Sequence, residues 1–181
     1  VLTFNPIVED NKKVAKKNKL TKFLWVGRNS SEKNLNDLIN AINFLKDEKF
    51  KLNIVSDFFT EKQKYQLSDI SKDKIHLIKF KNKKINKYFK ESDVLISTSI
   101  YEGFPNVVAE AISFNCLVVT SNSFGGISDL IKNENFGYVY NLYDSKQLSV
   151  KMIKSMKKMK KNLIKKKNAR KNLNSIYSKN N

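Results

Sequence analysis

Residues 101–126, YEGFPNVVAEAISFNCLVVTSNSFGG, carry two glutamates eight positions apart, Glu102 and Glu110. Glu110 interrupts an apolar run, with Val107, Val108 and Ala109 before it and Ala111 and Ile112 after it. A carboxylate in such a run is costly unless something pairs with it. Gly103 lets the backbone approach a ligand closely, and Pro105 suits the first turn of a helix that starts near Asn106. The start of that helix offers N–H groups to phosphate or sugar oxygens. Ionised carboxylates only accept hydrogen bonds, so two of them beside an anion site suit a polyol. A second constellation lies upstream in FLWVGRNSSEKNL: Gly27 and Arg28, then Lys33 five residues on. Two cations beside a helix start can clamp a diphosphate. A third loop, SFGGISDLI, sets Gly125 and Gly126 before another helix. Neither G-x-x-x-x-G-K-[ST] nor G-x-G-x-x-G occurs, which excludes the common phosphate loop and the dinucleotide fingerprint.

These residues need a scaffold that brings distant loops to one edge. Short β-branched and aromatic runs at 22–26, 52–55, 75–78, 94–97, 117–120 and 138–140 read as strands. Their nearly continuous apolar character predicts burial on both faces. Helical patterns lie between them. Leu35, Leu38, Ile39, Ile42 and Leu45 form one stripe over 34–45. Thr60 is a cap for a helix running to about residue 70, and shorter helices are predicted over 85–90, 106–114 and 126–131. This βα alternation predicts a doubly wound, Rossmann-like parallel sheet of about six strands with helices on both faces. In such sheets ligands bind at the carboxyl ends of the strands, which is where each of the loops above falls.

The chain has 181 residues, 40% of them hydrophobic, enough for one domain with a full core. It holds 35 basic and 17 acidic residues, a net charge of +18. That excess favours an anionic partner, although Lys and Asn abound throughout and composition alone can account for it. The single cysteine, Cys116, can form no internal disulfide, and is expected as a small core hydrophobe. His76, the one histidine, sits inside a strand pattern and is expected to be structural or exposed. No set of Cys, His and carboxylates has metal-ligand spacing, so no metal is expected. No apolar run reaches the roughly 20 residues needed to span a bilayer. The opening VLTFNPIVED reads as the middle of something longer.

VGRNSSEKNLNDLINAI followed by STSIYEGFPNVVAEAISFNCLVVTSNSFGGISDLI resembles the nucleotide-sugar half of the family 4 retaining glycosyltransferases, which have the two-domain GT-B architecture. The resemblance covers residues 1–143. It implies a hexosyltransferase-class enzyme acting as part of a longer two-domain chain, in surface polysaccharide or lipopolysaccharide assembly. It implies that Glu110 binds ribose hydroxyls and that Glu102 lies at the donor sugar. Arg28 and Lys33, beside Gly27, would hold the diphosphate. With Glu102 they form the expected catalytic set. Phe104, Asn106 and Val107, after Gly103, would turn their backbone to the sugar and phosphate. Phe80, Lys81 and Ile85 would form the base-binding edge, and Asn5-Pro6-Ile7 the interdomain hinge. No cofactor is implied beyond the substrate, a nucleotide-sugar, with UDP-sugar the first choice. Some positions depart from the family pattern. Ser56, Phe58 and Lys79 stand where glycines are usual, Leu117 where proline is, and Asp129 where glutamate is common. Asn34 and Asn115 also replace glycines, and asparagine tolerates a positive φ.

From about Asp144 the chain becomes helical in propensity and Lys-rich. Asp144 or Ser145 is the expected cap, with Leu148, Met152, Met156 and Met159 as the inward stripe. A second helix is predicted from about Lys167 to Tyr177. Three segments follow: residues 1–18 as a linker, 19–143 as the donor-nucleotide domain, and 144–181 as C-terminal helices. The Lys-rich tail reads as a solvated helix face or as a contact with anionic lipid at the inner face of the cytoplasmic membrane. Nucleic acid is the competing partner class. It is disfavoured because aromatics are not interleaved with the basic residues. A non-catalytic sugar-nucleotide-binding module is the other alternative. Taken singly, Glu102, Glu110, Arg28 and Lys33 all have an ordinary reading as surface charges. Their combination carries the sharper one.

Overall fold

The computed structural model describes residues 20–71, 73–80, 85–101, 106–123, 131 and 136–160. The expected hinge and linker at 1–18, Glu102, Gly103, Phe104, Lys81, the Gly125-Gly126 loop, the helix over 126–131 and the helix from Lys167 lie largely or wholly outside the described residues.

Six strands form one sheet: β1 (Thr21–Val26), β2 (Phe50–Ser56), β3 (Ile75–Lys79), β4 (Val94–Ser97), β5 (Leu117–Ser121) and β6 (Gly137–Tyr140). Every neighbouring pair is parallel. The order is β3-β2-β1-β4-β5-β6. The chain therefore builds outward from β1, returns across it, and builds outward the other way from β4. All six predicted strands are present, each within two residues of its expected start.

Alternation along the central strands explains why their sequences show no polar period. Phe23 and Trp25 of β1, Val94 and Ile96 of β4, and Leu117 and Val119 of β5 enter one apolar cluster. Leu24, Leu95 and Val118, at the intervening positions, enter the other. A strand buried on both faces has no solvent side to mark. Helices α1 (Leu35–Ile42), α2 (Glu61–Ser71) and α5 (Ser145–Lys160) cover the first face. Helices α3 (Ile85–Glu91) and α4 (Asn106–Ser113) cover the second, where Phe89 stacks on Phe114 at 5.7 Å.

Local chemistry sets the element ends. Thr60 and Gln63 form a reciprocal cap at the start of α2: Gln63 N–H donates to Thr60 Oγ1 at 3.2 Å, and Thr60 N–H donates to Gln63 Oε1 at 3.0 Å. Of the two candidate caps for α5, Asp144 does the work, accepting from Gln147 N–H at 2.7 Å. Ser145 turns its hydroxyl to Asp37 instead. Asn34 and Asn115 both adopt the left-handed conformation, at φ 46° and 60°, as their substitution for glycine predicted. Leu148, Met152 and Met156 are buried, and Met159 packs partly against them. Cys116 is buried, with its thiol donating towards the Phe89 and Ser92 carbonyls, and His76 is exposed. No helix among the described residues is long and apolar enough to cross a membrane.

Candidate functional site

The strand order reverses between β1 and β4. At such a reversal the loops leaving the two strands run to opposite faces and open a crevice between them. The β1 loop begins at Gly27, whose N–H donates to Val55 O at 3.1 Å. A Cβ on Gly27 would lie 3.1 Å from the Trp25 ring and 3.3 Å from the Lys33 stem. The absence of a side chain therefore lets Lys33 lie close over the strand end. After Gly27 the chain makes a short 3-10 turn, Ser31–Lys33, and Asn34 redirects it into α1.

The two strand exits are joined by hydrogen bonds. The buried Trp25 indole donates to Thr98 Oγ1 at 2.9 Å, and Thr98 Oγ1 donates to Lys33 O at 2.7 Å. Ile100 N–H donates to Glu32 O at 2.8 Å. The turn that carries Lys33 thus rests directly on the segment that leads to Glu102 and α4. Flanking Lys33, Ser30 Oγ and Asn34 Nδ2 are buried without a hydrogen-bond partner among the described residues. Buried orphan polar atoms are uncommon and call for an explanation.

Arg28 is largely exposed, and its guanidinium donates to Glu32 Oε1 at 2.9 Å across one turn. It is therefore an exposed arm with an internal counter-anion, and is less rigidly held than two fixed cations would be. The backbone beside it is well anchored. Asn29 N–H donates to Asp57 Oδ1 at 2.8 Å, and the Asn29 and Gln63 side-chain amides pair reciprocally at 2.7 and 3.0 Å. Asp57 also accepts from Ser56 Oγ and Phe58 N–H, each at 3.0 Å. The Asn29 N–H foremost holds the Asp57 carboxyl below its ordinary value.

Asn106 is exposed at the first residue of α4, and Val107 is half-buried against the second core cluster. Glu110 lies one turn on, on the solvent side of that helix. The buried face is formed by Val108, Ala109, Ala111 and Ile112. The Glu110 residue as a whole is exposed, yet its surroundings are crowded enough that partial burial raises its carboxyl above the ordinary value. Among the described residues the carboxylate has no hydrogen-bond or ion-pair partner. At the expected base-binding edge, Phe80 is exposed and its N–H donates to Ser56 O at 2.6 Å. Ile85 opens α3 and packs partly into the second cluster.

Sequence reading missed several residues that shape this edge: Trp25, Asn29, Asp57, Gln63 and Thr98. Only the Thr60-x-x-Gln63 spacing carried a local signal, as a capping box. The others act through partners 28 to 73 residues away.

Residues 7–172 match the family described as Glycosyl transferases group 1. The chain belongs to this glycosyl transferase family. Relatives of the group 1 chain include the amylovoran biosynthesis glycosyltransferase AmsD of Erwinia amylovora, 31% identical over 136 residues, which are 72% of this chain and 36% of AmsD. The chain thus spans about a third of that relative's length. A glycosyltransferase from Rickettsia africae superposes with a TM-score of 0.78 at 25% identity, over 87% of this chain and 44% of that one. HepE of Anabaena, solved in complex with UDP, superposes with a TM-score of 0.72 at 19% identity, over 86% and 44%. The six-stranded parallel sheet is accordingly the Rossmann-like unit of GT-B glycosyl transferases.

Proposed function

We propose that this chain is the donor-binding half of a retaining glycosyltransferase. It would hold a nucleotide-diphosphate sugar while the sugar passes to a hydroxyl on a glycan or lipid-linked acceptor. The reading rests on one observation above the rest: the Lys33 turn and the strand exit leading to Glu102 and α4 are bonded to each other at the strand-order reversal. On this reading Arg28, Lys33, Glu102 and Glu110 would border one crevice. The buried orphan atoms Ser30 Oγ and Asn34 Nδ2 beside Lys33 suit the same reading.

In the reaction the bond between sugar C1 and the β-phosphate oxygen breaks, and negative charge grows on the leaving diphosphate. Lys33, Arg28 and the amides at the start of α4 act where that charge develops. Arg28 reaches the diphosphate by exchanging Glu32 for it. Glu110 accepts ribose hydroxyls, and Glu102 orients the donor sugar. Same-face attack retains configuration, with the leaving phosphate taking the acceptor proton. Phe80, Lys81 and Ile85 border the base. UDP is the first nucleotide to test, because a neighbour of the same fold holds it. Surface polysaccharide assembly is the proposed setting, in line with the relative AmsD. The basic tail would rest on the inner face of the cytoplasmic membrane.

Acceptor binding belongs to a second domain, so this chain by itself is expected to bind donor and transfer nothing. Calorimetric titration with UDP, UDP-sugars and GDP-sugars tests the reading. Binding of a nucleotide diphosphate supports it. A folded sample that binds none of them overturns it.

A further inference from the structure

We propose that Thr98 is a positioning residue that sets the Lys33 turn for the diphosphate. The inference deepens the donor-site reading and rests on it. The turn that carries Lys33 is not held by its own caps. Ser30 and Asn34, which flank it as N-cap residues, make no side-chain cap hydrogen bond. Their Oγ and Nδ2 atoms are buried and unpartnered among the described residues. Within the turn the backbone bonds are long, at 3.1 to 3.3 Å for Lys33 N–H and Asn34 N–H to the Ser30 and Ser31 carbonyls. The shortest bonds come from outside, from the exit of β4. Thr98 Oγ1 donates to Lys33 O at 2.7 Å, and Ile100 N–H donates to Glu32 O at 2.8 Å.

Thr98 can play this part because its own hydroxyl is aimed. It is fully buried, and the Trp25 indole, 2% exposed, donates to it at 2.9 Å. With that lone pair occupied, the hydroxyl proton is directed to the Lys33 carbonyl. The same Trp25 ring lies close over Gly27, as does the Lys33 stem. One indole therefore places both the strand end and, through Thr98, the cation-bearing turn. A cation already held in its binding position loses less freedom when the ligand arrives, so this relay acts on affinity for the diphosphate. Neither Trp25 nor Thr98 is among the residues assigned to the base or the ribose. The relay's effect on a ligand should depend on whether that ligand carries phosphates.

The test uses the chain as it stands, titrated with UDP and with uridine, alongside circular dichroism melts. Thr98→Val keeps the shape and removes the hydroxyl. UDP affinity is expected to fall about tenfold, since a buried carbonyl loses its donor and an indole its acceptor, with uridine affinity unchanged. Thr98→Ser keeps the hydroxyl and should stay within about twofold of the parent for UDP. Adding Lys33→Ala to Thr98→Val should cost less than Lys33→Ala costs alone, because the two act through one contact. If Thr98→Val fails to fold, Thr98→Ala, which also removes the hydroxyl, carries the same comparison. Equal losses for UDP and uridine, full additivity with Lys33→Ala, or parent-like UDP affinity without the hydroxyl overturns the proposal. In each of those cases the donor-site reading stands as long as the parent chain binds UDP. A parent that binds neither UDP nor pyrophosphate overturns both.

Discussion

Replacing Glu110 with glutamine separates what this carboxylate costs the ligand-free protein from what it gives a bound one. Partial burial raises its pKa from the ordinary 4.5, and no described residue pairs with it. A raised folded-state value means that the native chain binds the proton more tightly than the unfolded one. Stability therefore falls as pH climbs from 4.5 through the raised value. Glu110→Gln should raise the melting temperature at pH 7 and leave it unchanged at pH 3. Binding should move the other way. A hydrogen bond to a charged acceptor contributes about 1.5–3 kcal/mol. Glutamine keeps one neutral acceptor, and the site is partly open to solvent, so the low end applies. A loss of about 1.5 kcal/mol is roughly tenfold in Kd for UDP. Calorimetry with UDP and 2′,3′-dideoxy-UDP gives the decisive comparison, because the dideoxy ligand has no hydroxyls for the carboxylate to accept. The loss should vanish with it. An equal loss for both ligands, or no loss for either, would refute the ribose assignment.

Three further outcomes follow from the packing. A Cβ on Gly137 would sit 1.8 Å from the Val118 carbonyl oxygen, so Gly137→Ala must push β6 away from β5. Chemical denaturation should show a loss of about 3 kcal/mol, at the upper end for an overpacked core. Tyr140→Phe removes the hydroxyl that donates to buried Asp37 at 2.9 Å. Burial, then the neighbouring Asp37 charge, pushes that phenol far above its ordinary range, so it remains a donor at any physiological pH. The variant should lose about 2 kcal/mol in the same assay. Asp57 is held below its ordinary 3.8, chiefly by the Asn29 N–H, so its contribution is present above 3.8 and is lost as pH falls through the lowered value. Asp57→Asn should flatten the acid limb of the stability profile below pH 4 and leave the alkaline side unmoved.

The strands were legible because burial on both faces leaves uninterrupted apolar runs, as in 94–97 and 117–120, where every residue is buried. The left-handed positions were legible at Asn34 and Asn115, because few other residues with side chains take a positive φ readily. Tyr143, at φ 67°, carried no such mark. The cations and carboxylates could be picked out by type and spacing, and the strand order puts the β1 exit beside the β4 exit. What holds the β1 turn in place could not be read. Trp25 to Thr98 and Tyr140 to Asp37 are contacts over 73 and 103 residues, set by how β1 lies against β4 and by how α5 brings α1 and β6 together. A tryptophan in an apolar run gives no sign that its N–H has a partner on another strand. The ion pair between Arg28 and Glu32 was within reach, since residues four apart face each other across a turn.

Backbone amide shifts of the chain titrated with UDP test the account most directly. Saturable changes confined to the carboxyl edge of the sheet, at Gly27 to Asn34 and at Asn106 to Glu110, are the expected result. Changes on α5 or at the opposite edge, near Thr21 and Leu117, or none at all, would contradict it.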